Sequence, residues 1–363
     1  MGILKKLLIG GALVLVATLC VAAYGVYHFN PSEHKVLDFI KDNPERASIL
    51  LVRNDSVVAQ QKINRVMPLA STVKIIIAIE YAVQAAEGKI EPKDLVALNE
   101  INKFYIPNTD GGAHPAWLNS VKAITVNGNV PIREIARGMI KYSSNANTEW
   151  LLNRLGLENV NNRLYALDVK NHTNIYHIVS ALFVGKELFP DLSGEDLKDK
   201  LKALSMADYI EATNQIHGKL AADSSYKQDV GDLCMKIQKI WSDRLPASTV
   251  ADYVSIMKKI NRRDYFDEAT KEYLKPVMEQ IMENPANKSW LQHSGMKGGS
   301  TAFVLTKSLY ATDKDGNTTE MAYFFNNLST IEATILQMSL NDFELKVLTN
   351  QNFRNKIKSL LAE

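Results

Sequence analysis

Cysteine is almost absent: the 363 residues hold only Cys20 and Cys234. Cys20 lies within an apolar run, which makes an intramolecular disulfide an improbable staple and leaves the fold to a buried core. A charge excess is also missing. Against 42 Lys and Arg stand 40 Asp and Glu, a net charge of +2, so no basic face argues for a nucleic-acid partner. The seven histidines are scattered. No H-E-x-x-H string and no Cys/His ligand spacing occurs, so no metal and no other cofactor is expected. Repeats and low-complexity tracts are lacking as well.

What is present begins with Lys5 and Lys6 followed by an uncharged stretch over residues 7–27. At about 1.5 Å per residue it is long enough to cross a hydrocarbon core of about 30 Å. Positive charge ahead of the span favours an N-terminus in the cytoplasm and the remainder outside. Residues 1–30 therefore read as a cytoplasmic stub and retained signal anchor, with a single pass and an extracytoplasmic domain. Cleavage after Val21-Ala22-Ala23, giving a secreted chain, is the alternative. Leu19 ahead of Cys20 argues against a lipoprotein site, where a small residue is expected.

Residues 31–363 can bury a large core as one domain. Residues 31–43 read as a short amphipathic helix, and residues 47–53 and 57–64, around Asn54-Asp55-Ser56, as a hairpin. A helix follows from Ser71 to about Gly88. Residues 94–123, broken by Pro107, Asp110-Gly111-Gly112 and Pro115, read as a long irregular loop. Residues 132–155 are helical, interrupted at Tyr142-Ser143-Ser144-Asn145. Helices are expected over 194–204, 206–219, 226–241, 248–260 and 267–283. Strands return over 291–301, 303–313 and 318–326, with Asp315-Gly316 as a turn. The fold class is α+β: an antiparallel sheet built from both chain ends (about 46–64 and 289–327), with a helical lobe inserted between (about 66–285).

Ser71-Thr72-Val73-Lys74 opens the longest apolar helical run of that domain. Spacing of three places hydroxyl and amine on one face of the first turn. A serine there gains from the helix N-terminus, and a lysine partly stripped of water has a lowered pKa and can take the serine's proton. Ser143-Ser144-Asn145 falls between helical stretches of the lobe, and Lys297-Gly298-Gly299-Ser300 on a returning strand. A second hydroxyl and lysine supply a proton route to the leaving group, while backbone N–H groups supply an oxyanion hole.

S-x-x-K, then S-x-N about seventy residues on, then K-x-G on a late strand resembles the penicillin-recognising serine enzymes, in particular the class A β-lactamase-like group. Met67-Pro68-Leu69-Ala70-Ser71-Thr72-Val73-Lys74, Tyr142-Ser143-Ser144-Asn145-Ala146-Asn147 and Leu151-Leu152-Asn153-Arg154-Leu155-Gly156 carry the resemblance, which runs from about residue 32 to the C-terminus. It implies a β-lactamase/transpeptidase-like fold, Ser71 as the acylated nucleophile, Lys74 as general base and Ser143 as proton relay. Asn145 would hold the substrate amide and Lys297 would attract a carboxylate. The N–H groups of Ser71 and Ser300 would bind the oxyanion, Gly299 would leave room for substrate, and Ser300 and Thr301 hydroxyls would meet the carboxylate. The implied substrate is a β-lactam, or a D-alanyl peptide or ester of a peptidoglycan-like envelope polymer. A penicillin-binding D,D-peptidase that acylates without release, and a non-catalytic envelope scaffold, stand as alternatives.

Departures from the pattern are equally informative. Gly298 replaces the usual hydroxyl of the last motif, and Ser144 the usual aspartate of the second. Class A β-lactamases place a deacylating glutamate about thirty-five residues after the second motif; here residues 171–183 contain no carboxylate. Glu149-Trp150-Leu151-Leu152-Asn153 matches the E-x-x-L-N string but follows Asn145 too closely, within a core helix. His177 is the one candidate base near the expected place. His114 and Trp117, on the long loop, are candidates to line the cleft. Residues 185–245 form an extended helical insertion, a lid or a surface for a protein partner.

Overall fold

The computed structural model describes residues 30–361 apart from 224 and 263. The anticipated membrane anchor lies outside these residues. Among the described residues no helix is long and apolar enough to cross a membrane.

Among the described residues nine strands are found, in chain order β1 (Ala47–Arg53), β2 (Ser56–Gln61), β3 (Met67–Pro68), β4 (Leu95–Ala97), β5 (Asn129–Pro131), β6 (Ala247–Ser248), β7 (Leu291–Ser300), β8 (Leu305–Asp313) and β9 (Thr318–Phe325). Five make the main sheet in the order β2-β1-β9-β8-β7. Every neighbouring pair is antiparallel, with Leu50 opposite Ala322 and Ser308 opposite both Ala322 and Lys297. The N-terminal hairpin thus adds to the C-terminal strands, as the sequence pattern predicts. Alternation along the strands divides the sheet between two cores. Ile49, Leu51, Met321, Tyr323 and Phe325 face the helix Glu33–Asp42 and the C-terminal helices, while Leu50, Val52, Ala322 and Phe324 face the helical lobe.

Helix Lys74–Ala86 is the axis of that lobe. Ile75, Ile76, Ile77, Ala78 and Ile79 have no exposed surface, and each buried isoleucine is worth about 1.5–3 kcal/mol against exposure. An all-round apolar helix has to be central, and this one packs against helices Ile132–Lys141, Asn145–Leu155, Leu157–Ala166 and Glu268–Met278.

Two expectations are corrected, and two helices stand where none was expected. Residues 94–123 are not an irregular loop: they hold β4, the helix Leu98–Asn102 and the helix Ala113–Val121. Pro115 sits in the first turn of the last of these, where its missing N–H costs nothing, and Gly112, at φ 82°, supplies the left-handed entry. The helix expected over 226–241 starts only at Met235. Asp229 and Asp232 instead hold the N–H groups of Gly231 and Cys234 in side-chain turns. Helices Thr330–Thr349 and Gln351–Leu360, unanticipated, cover the outer face of the sheet.

Candidate active site

Ser71 lies in a single 3₁₀ turn, Ala70–Val73, and the α-helix proper begins at Lys74. Residues three apart eclipse in 3₁₀ geometry, so the turn aligns the hydroxyl and the amine better than an α-helical turn would. Ala70, immediately before Ser71, is held at φ 45°, and Ser143 at φ 67°. Left-handed conformations at non-glycine residues cost on the order of 1–3 kcal/mol each, and here they occur on the segments that bring the Ser71 and Ser143 hydroxyls into the cleft.

The lysines and hydroxyls converge. Lys74 Nζ donates to the Ser143 carbonyl at 2.7 Å, to Ser143 Oγ at 3.3 Å and to Asn145 Oδ1 at 2.8 Å. Lys297 Nζ donates to Ser143 Oγ at 3.0 Å and to the Gly298 carbonyl at 2.6 Å. The described hydrogen bonds of Lys74 therefore run to the second motif. With Oδ1 of Asn145 fixed on Lys74, its NH₂ end is the one free to donate to a substrate carbonyl.

Burial holds the Lys74 amine well below its usual 10.5, and the Lys297 cation depresses it further, against the opposing carboxylates of Asp110 and Glu149. Burial, then the Lys307 cation, lowers Lys297 from 10.5 to about 7. Both shifts favour the neutral amine, the form of a lysine that can accept a proton, while whichever amine keeps its proton can attract an anion.

Strand β7 is seated directly on the Ser71 turn. A Cβ at Gly299 would lie 2.5 Å from the Leu69 carbonyl oxygen and 2.5 Å from Ser71 N, so only glycine allows this approach. Thr306 Oγ1 donates to the Leu69 carbonyl at 2.7 Å and shares a 2.8 Å hydrogen bond with Thr72 Oγ1. These contacts hold Ser300 beside Ser71, where two backbone N–H groups are needed for an oxyanion hole.

A cleft of about 920 Å³ opens over this arrangement. Ser71, Ser143, Asn145, Lys297, Gly299, Ser300 and Thr301 all line it, so every candidate site residue except the fully buried Lys74 meets the cavity. Thr301 has a second task. Its hydroxyl shares a 2.7 Å hydrogen bond with Ser242 and accepts the N–H groups of Phe303 and Val304, which fixes the turn after β7. The insertion lines the cleft through Gln238, Trp241 and Leu245.

His114 and Trp117 do not line the cleft; both are buried. Asp110, Gly111, Gly112, Ala113 and Ala116 form the rim in their place. His114 Nε2 meets Asn102 Oδ1 at 2.8 Å, and its Nδ1 meets Ser144 Oγ at 2.9 Å. Ser144 Oγ in turn caps the next helix by accepting Asn147 N at 3.2 Å. A serine braced by a neutral histidine thus stands where the resembling family has an aspartate. Burial lowers His114 to about 4.

Ile178 lines the cleft at the spacing where a deacylating glutamate is expected, its carbonyl held by Trp241 Nε1 at 3.0 Å. His177 points elsewhere. Its Nδ1 lies 2.9 Å from Glu149 Oε2, within a buried cluster that also contains His217. Leu151 and Leu152 are core, as expected, but Glu149 is a buried polar hub. Sequence spacing gave no sign of it, because its partners lie 28 and 68 positions away.

This combination of sheet, lobe and three motifs is that of the β-lactamase-like serine hydrolases. The chain belongs to the beta-lactamase enzyme family, whose model matches residues 31–286. A class A beta-lactamase from Bacteroides cellulosilyticus is similar at 13% identity over 89% of this chain and 100% of that one, with a TM-score of 0.51. A beta-lactamase from Sphaerobacter thermophilus gives 15% identity over 88% and 97%, with a TM-score of 0.52. A mutant of PBP-A, in an acyl-enzyme complex with penicillin G, gives 14% over 86% and 95%, with a TM-score of 0.50. At these identities the likeness is one of β-lactamase/transpeptidase-like α+β fold. No curated protein matches the chain.

Proposed function

We propose that the protein is an extracytoplasmic serine acyl-hydrolase that forms an acyl-Ser71 intermediate from a β-lactam or from a D-alanyl peptide or ester of the cell envelope, and releases it slowly. The observation that carries this reading is the convergence of Lys74 and Lys297 on Ser143 Oγ in the cleft that Ser71 lines. Neutral Lys74 takes the Ser71 proton as Oγ adds to the acyl carbon. The N–H groups of Ser71 and Ser300 hold the oxyanion, and Ser143 passes a proton to the departing nitrogen or oxygen. Lys297 holds the substrate carboxylate.

Slow release follows from Ile178, an apolar side chain on the wall where a water-activating carboxylate would serve. The same residue favours a second reading, a penicillin-binding D,D-peptidase that stays acylated. Residues 7–27 anchor the domain to the membrane in either case. Mixing the full-length protein with a chromogenic cephalosporin separates the two. Slow sustained colour supports the hydrolase, and a single stoichiometric burst supports the penicillin-binding protein. Both signals vanish in Ser71→Ala, and a chain without colour or adduct is neither.

A further inference from the structure

Glu149, His177 and His217 stand apart from the acylation chemistry, and the described residues contain one such cluster of candidate metal ligands. All three are buried. Glu149 Oε2 lies 2.9 Å from His177 Nδ1 and 3.2 Å from His217 Nδ1. Ser180 Oγ lies 3.5 Å from both Glu149 Oε2 and His217 Nδ1. Zinc bonds to nitrogen and oxygen of about 2.0–2.1 Å in a tetrahedron imply ligand-to-ligand edges of about 3.3 Å. The separations in the cluster bracket that value.

The other carboxylate oxygen is held by the backbone: Val179 N donates to Glu149 Oε1 at 2.6 Å, orienting the group so that Oε2 faces the rings. His217 Nε2 has no hydrogen-bond partner although buried, and the ring is packed between Phe104 and His177.

We infer that Glu149 Oε2, His177 Nδ1 and His217 Nδ1 bind one divalent zinc-like ion, with the Ser180 hydroxyl at the fourth position, as a structural site. The two imidazoles are stacked with centroids 3.5 Å apart, so binding opens the stack by rotation about the Cβ–Cγ bonds until both Nδ1 lone pairs converge. Each ring then gives up its Nδ1 proton and carries its proton on Nε2. Three segments would be tied together: the helix that follows Ser143 and Asn145, the turn that presents Ile178 to the cleft, and the insertion helix Met206–Ala222. The ion would set the cleft wall without touching substrate.

The test is metal binding to the full-length, chelator-treated protein, which is independent of the proposed acyl chemistry. Zinc alone is expected to bind at one equivalent per chain by elemental analysis after gel filtration, and cobalt(II) alone to show the intense visible bands of a four-coordinate site. Affinity should fall about 100-fold or more in His217→Ala and in Glu149→Gln. His34→Ala/Cys234→Ala, which removes an exposed histidine and the exposed thiol, should bind as the unmodified protein does. Failure of the unmodified protein to bind either ion stoichiometrically overturns the site, whether or not the variants fold. Loss of binding in His34→Ala/Cys234→Ala overturns it too.

Discussion

Lys74 and Lys297, from opposite ends of the chain, meet at one oxygen: Ser143 Oγ lies 3.3 Å from the first amine and 3.0 Å from the second. Two ammonium groups in one buried site repel each other, which favours loss of a proton from one of them.

That constraint sets a pH profile. Acylation should rise with pH as Lys74 becomes neutral. Affinity for substrates bearing a carboxylate should fall as pH passes the Lys297 value of about 7. Rates of adduct formation measured by stopped flow should therefore be bell-shaped, with the basic limb near neutrality. The basic limb should be absent for an acyl donor without a carboxylate.

The same depression affects stability. A lysine whose folded value is about 7 against an ordinary 10.5 lets the unfolded chain bind more protons between those values, so its contribution to stability rises with pH across that window. Denaturant midpoints at pH 7 and pH 9 should differ less in Lys297→Met than in the unmodified protein. Lys297→Met should also be more stable at pH 7 while losing affinity for carboxylate substrates.

Gly299→Ala should separate strand from nucleophile. A methyl group 2.5 Å from Ser71 N and from the Leu69 carbonyl has nowhere to go. Relief requires moving β7 or the Ser71 turn, at about 1–3 kcal/mol. Adduct formation should fall by about 100-fold or more, as for loss of an oxyanion donor, with the protein still folded by circular dichroism.

Ser144→Ala leaves His114 Nδ1 without its partner and removes a helix cap. Destabilisation of about 1–3 kcal/mol is expected in urea unfolding, together with slower acylation, because the brace carries Ser143. Ser144→Asp should restore rate more than stability. An added carboxylate raises the His114 pKa from about 4 and forms a buried pair that costs desolvation.

Sequence pattern disclosed the sheet because alternation and the Asp315-Gly316 turn are local signals, and it pointed to side chains that the fold brings to one cleft because the three motifs have fixed internal spacing. It did not disclose what depends on distant packing. His114 looks like a rim residue in a loop with two glycines and two prolines, and only the helix that Gly112 starts turns it inward under Ser144. Glu149 looks like one more helix carboxylate until the insertion brings His217 beside it. Helices Thr330–Thr349 and Gln351–Leu360 follow the last motif, and the long one has apolar residues on all sides, which blunts its periodic signal.

Ile178→Glu should convert slow release into turnover. The Trp241 hydrogen bond holds the backbone there at 3.0 Å, so a carboxylate would enter the cleft from a fixed point, and general-base activation of water is worth about 100-fold or more. Steady-state hydrolysis of a cephalosporin should rise in Ile178→Glu with adduct formation little changed.

Intact mass spectrometry of the full-length protein, sampled from milliseconds to hours after addition of penicillin, tests the central claim most directly. A single adduct of penicillin mass, formed fast, lost slowly and absent in Ser71→Ala, is the predicted result. An adduct that persists in Ser71→Ala, or hydrolysis with no adduct at any time, would contradict it.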